Sequence, residues 1–125
     1  MSKKKIFVVD DEIDLCRHIK LNLEATGEFE VLTESNGLKA AYAAQHFLPD
    51  LIVLDIMMPY IGGEDVLLKI QEIPELANIP VIFLTAIVNP EELGRQSTIT
   101  GGNFIVAKPI SPEDLIKAIK SKLPA

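Results

Sequence analysis

The segment from Leu51 to Gly63, with the sequence LIVLDIMMPYIGG, constrains the fold more than any other stretch of this chain. Four consecutive apolar residues lead into a single acid, Asp55, with the turn residues Pro49 and Asp50 before the run and Pro59, Gly62 and Gly63 after it. A short, uninterrupted apolar run between turn residues is typical of a strand that is buried on both faces, as in parallel sheets covered by helices. The carboxyl ends of such strands open into the crevice where ligands bind. Asp55 is therefore a candidate functional residue, and the alternative is an acid that ends the strand and only faces water.

Four further apolar runs predict strands, and the segments after the strands carry helix signals. The predicted strands besides Leu51–Asp55 are Lys4–Val9, Phe29–Thr33, Pro80–Thr85 and Asn103–Ala107. The predicted helices are Ile13–Thr26, a helix capped by Ser35 or Asn36 that runs to Phe47, Gly63–Ile73, a helix that begins at Asn89, and a helix that begins with the capping box at Ser111. This alternation predicts one α/β domain over residues 1–125, a doubly wound parallel sheet of five strands with five helices. Right-handed crossovers then bring all the strand carboxyl ends to one edge.

Composition excludes several classes of function. The net charge is −6, and the sequence has no basic stripe that could bind nucleic acid. No apolar segment approaches the roughly 20 residues that span a bilayer. Cys16 is the only cysteine, which excludes an internal disulfide and a cysteine-based metal site. His18 and His46 fall within predicted helices, where surface side chains are expected and not metal ligands. We therefore expect a cytoplasmic protein that contacts neither nucleic acid nor membrane directly.

Polar residues gather at the predicted carboxyl edge: Asp10 and Asp11 after the first strand, then Asp55, Thr85 and Lys108. Three carboxylates placed close together repel one another, and the one ammonium of Lys108 does not balance them. A hard divalent cation with oxygen ligands would balance them, and few protein ligands with several waters favour Mg²⁺ over Ca²⁺.

These residues resemble those of the receiver domain of bacterial two-component response regulators, and the resemblance covers the whole chain. The matching motifs are the acid pair in VVDDE, Asp55 in LIVLDIMMP with Gly63 beyond it, Thr85 in PVIFLTA and Lys108 in AKP. The resemblance implies a flavodoxin-like fold with strand order 2-1-3-4-5.

The resemblance also implies a function. Asp55 would accept a phosphoryl group from the phosphohistidine of a sensor histidine kinase or a histidine phosphotransfer protein. Lys108 and the hydroxyl of Thr85 would bind phosphoryl oxygens. The Mg²⁺ ligands would be Asp55, Asp11 directly, Asp10 mainly through water, and the backbone carbonyl of Met57. The chain would not be an enzyme beyond catalysing its own phosphorylation and dephosphorylation.

In the family, Thr85 would move toward the phosphoryl group and so change the surface formed by the fourth helix, fifth strand and fifth helix. A phosphorylation-dependent homodimer is left open, and the downstream target is not indicated. The low helix propensity of the fourth predicted helix is consistent with an element that shifts.

The chain departs from the family pattern at several positions. Ile105 occupies the switch position where an aromatic residue is usual, and Phe104 lies on the opposite face of the strand. The interval from Thr85 to Lys108 predicts an extra residue around Ile99–Gly102. Met57 and Ile87 are apolar, which predicts slow hydrolysis of the phosphoryl group. The Lys108–Pro109 bond is either cis, as in relatives, or an ordinary trans bond.

Two other functions are weighed against this one. A Mg²⁺-dependent phosphatase with an aspartyl nucleophile typically has a second acid two residues later, where this chain has Met57. A receiver-like interaction module that is never phosphorylated would be expected to lack an acid, Thr85 or Lys108, and all are present. Both a single-domain regulator and a receiver cut from a longer protein fit the sequence.

Overall fold

The computed structural model describes residues 3–86 and 104–123, which form one parallel sheet covered by helices on both faces. Its strands are β1 (Lys4–Val9), β2 (Phe29–Glu34), β3 (Leu51–Asp55), β4 (Val81–Thr85) and β5 (Phe104–Ala107). Their order across the sheet is β2-β1-β3-β4-β5, and every neighbouring pair is parallel. The predicted fold class and strand order are therefore confirmed.

Four α-helices lie within the described residues: α1 (Ile13–Ala25), α2 (Ala40–Phe47), α3 (Gly63–Gln71) and α4 (Pro112–Lys122). Short 3₁₀ turns cover Gly37–Lys39 and Pro74–Leu76. The helix α4 corresponds to the fifth predicted helix. The helix predicted to begin at Asn89 lies outside the described residues, as do Ile87 and the extra residue predicted around Ile99–Gly102.

The start of α2 differs from the predicted one, because the predicted cap residue caps a 3₁₀ turn and not the α-helix. Asn36 accepts a hydrogen bond from the backbone nitrogen of Leu38 at 2.9 Å, and so caps the 3₁₀ turn that precedes α2. The helix α2 itself begins only at Ala40. By contrast, Ser111 caps α4 as predicted, because its Oγ accepts from the backbone nitrogen of Asp114 at 3.1 Å.

Alternate strand residues enter two separate apolar layers. Ile6 and Val8 face the layer shared with α1 and α4, whereas Phe7 and Val9 face the layer shared with α2 and α3. All five residues of β3 are buried. The continuous apolar run of β3 thus has the two-sided burial that its sequence predicted.

The strand register places the predicted polar residues at one edge. Val9 pairs with Leu54, and Asp55 pairs with Leu84, so β1, β3 and β4 end at nearly the same level. β5 ends at this level too, with Lys108 directly after it. Within the described residues, no helix has the length and apolar character needed to cross a membrane.

Candidate functional site

Asp55 ends β3 with its side chain almost fully buried. The backbone nitrogen of Met57 donates to its Oδ1 at 3.2 Å. The next residue, Ile56, donates its backbone N–H to the carbonyl of Leu84 at 2.9 Å, which ties the end of β3 to β4. Gly63 lies against the backbone carbonyl of Asp55 so closely that a Cβ at position 63 would overlap it. The position of Asp55 is therefore determined by backbone contacts on both sides.

Asp10 and Asp11 follow β1 and differ in their exposure. Asp10 is fully buried, and its backbone nitrogen donates to the carbonyl of Glu34 at 3.2 Å. Its Oδ1 accepts from the backbone nitrogen of Glu12 at 2.9 Å. Asp11 is exposed. One carboxylate oxygen from each of Asp10, Asp11 and Asp55 lies within 4.8 Å of the others, so the structure brings together the three acids that the sequence predicted.

Lys108 reaches into this acidic cluster from the end of β5. Its backbone nitrogen donates to the carbonyl of Thr85 at 2.7 Å, and the peptide bond to the following proline is cis. Its Nζ lies 2.9 Å from Oδ2 of Asp10, 3.5 Å from Oδ2 of Asp55 and 2.8 Å from Oε1 of Glu12. The ammonium is thus shared by three carboxylates.

The carboxyl pKa values in the cluster are raised by burial and by mutual repulsion. Burial and the negative charge of Asp10 raise the pKa of Asp55 to about 7, against the opposing charge of Lys108. Burial also raises the pKa of Asp10, although the Lys108 ammonium and the Glu12 backbone N–H oppose the shift. Burial makes the ionised form of both acids unfavourable. A further cation would offset this cost by neutralising the carboxylates.

Lys108 itself remains a cation at neutral pH. Burial alone would lower its pKa, but the bonds to Glu12 and Asp10 and the charges of Asp10 and Asp55 outweigh burial and raise that pKa above its ordinary value. The ammonium is therefore a permanent positive charge beside Asp55.

The three acids suit a Mg²⁺ ion. They supply only oxygen ligands, which this hard cation prefers, and they are few enough to leave positions for water. Oδ2 of Asp10 is a further sign: it is buried and pairs with the Lys108 ammonium at 2.9 Å, a contact that leaves capacity for a second ligand. A buried carboxylate oxygen with unused capacity is a suitable metal ligand. The amide of Met57 lies beside Asp55, and the role of the Met57 carbonyl as a ligand stays a prediction.

The two residues predicted to act as the switch lie on neighbouring strands. Thr85 is fully buried at the end of β4, level with Ala107 of β5. Ile105 is partly buried and packs against the apolar layer of α2 and α3. The movement of Thr85 on phosphorylation stays a prediction.

Sequence reasoning assigned no role to Glu12, which the structure places against Lys108. The signal available was the run of three acids after β1. His18 and His46 are exposed on α1 and α2, as predicted. Cys16 is buried and donates its Sγ–H to the backbone carbonyl of Asp10 at 3.2 Å. Burial and the charge of Asp10 raise the pKa of this thiol to about 12, so Cys16 is not a reactive thiolate.

Comparison with known proteins gives a consistent assignment. The sequence model of the response regulator receiver domain matches residues 6–120. The chain is 39% identical over 119 residues to the phosphate regulon transcriptional regulatory protein PhoB of Rhizobium meliloti, covering 95% of this chain and 52% of that protein. It is 37% identical over 123 residues to the probable transcriptional regulator ycf27 of Cyanophora paradoxa, covering 98% of this chain and 49% of that protein. The chain thus spans about half the length of these curated relatives.

The fold also matches solved structures. The chemotaxis protein CheY4 of Vibrio cholerae superposes with a TM-score of 0.87 at 27% identity, covering 98% of this chain and 100% of that chain.

Proposed function

The chain belongs to the response regulator receiver domain family, and from that premise we propose that Asp55 accepts a phosphoryl group from a phosphohistidine on a partner protein. The partner is a sensor histidine kinase or a histidine phosphotransfer protein. The observation that carries the proposal is the position of the Asp55 carboxylate, which is buried between two further acids and the Lys108 ammonium.

In the proposed reaction, an oxygen of Asp55 forms the new bond to phosphorus while the bond from phosphorus to the histidine nitrogen breaks. The released imidazole keeps the electron pair of that bond. Phosphoryl transfer depends mainly on positioning and charge neutralisation. The contacts of Asp55 with Met57 N–H and with Gly63 hold the nucleophile in place before the donor arrives.

Lys108 and Thr85 bind the transferred group in this proposal. The phosphoryl group adds about −1.5 to −2 charges, and the Lys108 ammonium lies 3.5 Å from Oδ2 of Asp55. The Thr85 hydroxyl, at the end of the neighbouring strand, would donate a hydrogen bond to a phosphoryl oxygen. Lys108 therefore neutralises charge, and Thr85 links phosphorylation to the surface beside β5.

Asp10, Asp11 and Asp55 would hold Mg²⁺, with the Met57 carbonyl as a further ligand. When bound, the ion neutralises negative charge on the carboxylates and on the phosphoryl oxygens. Because these acids repel one another without it, we expect phosphorylation to require the ion.

The proposal includes a cellular context. The chain acts in the cytoplasm as a signalling module and catalyses only its own phosphorylation and dephosphorylation. The alternative of an aspartyl phosphatase needs a general acid near Asp55, and the exposed thioether of Met57 does not supply one.

Mass spectrometry after treatment with acetyl phosphate tests the proposal. We expect one added phosphoryl group that requires Mg²⁺ and is absent in Asp55→Ala. Asp65→Asn, which removes an exposed carboxylate from the first turn of α3, is the matched control and should be phosphorylated normally. Lys108→Ala should retain some phosphorylation with a weaker conformational response. Phosphorylation that persists in Asp55→Ala would disprove the assignment.

A further inference from the structure

We propose that Glu12 holds the Lys108 ammonium in the unphosphorylated domain and competes for it with the phosphoryl group. This inference rests on the proposed function of Asp55. It starts from the three distances around Nζ of Lys108: the contact with Glu12, at 2.8 Å, is shorter than that with Asp55, at 3.5 Å.

The backbone of Glu12 is held firmly at the rim of the site. Its nitrogen donates to Oδ1 of Asp10 at 2.9 Å, and its carbonyl accepts from the backbone nitrogen of Cys16 at 3.0 Å. Glu12 occupies the N-cap position of α1, yet its side chain makes no capping hydrogen bond. The carboxylate bonds to Lys108 instead, across 96 residues of sequence.

The three carboxylates around Lys108 differ in how easily they release it. The side chains of Asp10 and Asp55 are almost fully buried, whereas that of Glu12 is 59% exposed. Water solvates an exposed carboxylate that loses its partner, but a buried one would remain uncompensated. Glu12 is therefore the partner that gives way when negative charge builds up on Asp55.

The expected effect of this competition on phosphoryl-group affinity is small. Exposed ion pairs are weak, so removal of the Glu12 charge should tighten binding of a phosphoryl group by about 1.5- to 5-fold. Added salt should reduce the difference in affinity between the wild type and a variant without the Glu12 charge, because salt screens the exposed Glu12–Lys108 pair in the wild type. Glu12 is a positioning residue here, since it acts on the phosphoryl group only through Lys108.

The test uses beryllofluoride, a phosphoryl mimic, titrated by NMR at saturating Mg²⁺. We expect Glu12→Gln to bind it about 1.5- to 5-fold more tightly than the wild type. Asp14→Asn removes the same charge from the first turn of α1, and within the described residues Asp14 makes no ion pair with Lys108. It should bind as the wild type does.

A double-mutant cycle separates the effect of the Glu12–Lys108 ion pair from a general effect of charge. In a Lys108→Met background, Glu12→Gln should no longer change beryllofluoride affinity. Urea unfolding of the same four proteins without beryllofluoride should show that Glu12 and Lys108 stabilise the domain cooperatively.

The outcomes are distinct. Equal affinities for the wild type and Glu12→Gln, an effect that persists in Lys108→Met, or an equal effect of Asp14→Asn would each overturn the inference. Absence of coupling in urea would overturn it independently of any ligand. Urea unfolding could show coupling between Glu12 and Lys108 while the wild type neither binds beryllofluoride nor becomes phosphorylated. In that case the proposed function is wrong, and the proposed competition is wrong with it.

Discussion

Gly63 shows how one residue type determines the geometry of the site. The residue begins α3 and packs directly against the backbone of Asp55 and Ile56. Its nitrogen also donates to the carbonyl of Ile56 at 2.8 Å, so the chain is closely apposed at this point. Any side chain at position 63 would push on the backbone that carries the phosphoacceptor.

We predict that Gly63→Ala destabilises the domain by about 1–3 kcal/mol and slows phosphorylation of Asp55, because the backbone must shift. On helix propensity alone the same change would stabilise by about 1 kcal/mol. Urea unfolding and acetyl phosphate kinetics provide the measurements. Gly62→Ala is the control, since a Cβ there would meet only the carbonyl of Ile56, at an ordinary 3.6 Å. Equal effects of the two substitutions would contradict the argument.

Met57 leads to a prediction about dephosphorylation. Its amide faces Asp55 while its side chain is mostly exposed, and a thioether does not position water well. Met57→Asn should therefore accelerate hydrolysis of the phosphorylated domain at least severalfold, measured as the decay of the phosphorylated mass. Met57→Leu keeps the position apolar and should decay as slowly as the wild type. An unchanged rate in Met57→Asn would rule out this role.

Among the secondary-structure elements, α1 provides side chains that hydrogen-bond to the backbone of the edge strand β2. β2 has β1 as its only neighbour in the described sheet. The outward-facing backbone of Val31 would otherwise be free to pair with another strand. Instead Oε2 of Glu24 accepts from Val31 N–H at 3.1 Å, and Nζ of Lys20 donates to its carbonyl at 2.6 Å. The two side chains also pair with each other at 3.3 Å.

We predict that Glu24→Ala increases self-association of the domain, because the freed N–H of Val31 becomes available to a second chain. The loss of stability should be small, under about 1 kcal/mol, since the side chain is partly exposed to solvent. Sedimentation at several protein concentrations measures association. Glu28→Ala breaks a more exposed pair with Lys120, at 2.9 Å, that contacts no strand backbone, and it should associate no more than the wild type does. Equal association of both variants would refute the edge argument.

At the scale of the whole molecule, the acidic cluster links stability to pH. The pKa of Asp55 rises from an ordinary 3.8 to about 7 on folding, chiefly through burial and then through the charge of Asp10. The folded domain thus holds a proton that the unfolded chain releases between these pH values. Its free energy of unfolding should fall as pH rises from about 4 to about 7, and the penalty should be complete above that range.

We therefore predict that Asp55→Asn stabilises the metal-free domain at pH 8 and has much less effect at pH 4. The amide removes a buried charge that is ionised only at the higher pH. Thermal unfolding in EDTA across this range measures the difference, and added Mg²⁺ should raise the wild-type melting temperature at pH 8. Asp65→Asn, an exposed change on α3, should leave the pH profile unaltered. Parallel profiles for the wild type and Asp55→Asn would contradict the prediction.

Much of the fold was predictable because buried parallel strands leave a direct mark in sequence. The apolar runs before Asp55 and before Thr85 predict strands, and both strands are fully buried. Helix ends were less predictable, since a cap such as Asn36 serves a 3₁₀ turn as well as an α-helix. The contact of Glu12 with Lys108 was missed because no local pattern relates residues 96 positions apart.

The amino-acid sequence is sufficient to predict the fold class, the single edge at which the strands end, and the acids that meet there. It is sufficient because burial selects apolar runs and parallel pairing puts the carboxyl ends on one side. The three-dimensional fold is needed to show which carboxylates share the Lys108 ammonium and how closely Gly63 approaches Asp55. Those distances depend on sheet register and helix packing together, and a displacement of about one ångström changes the chemistry of such a site.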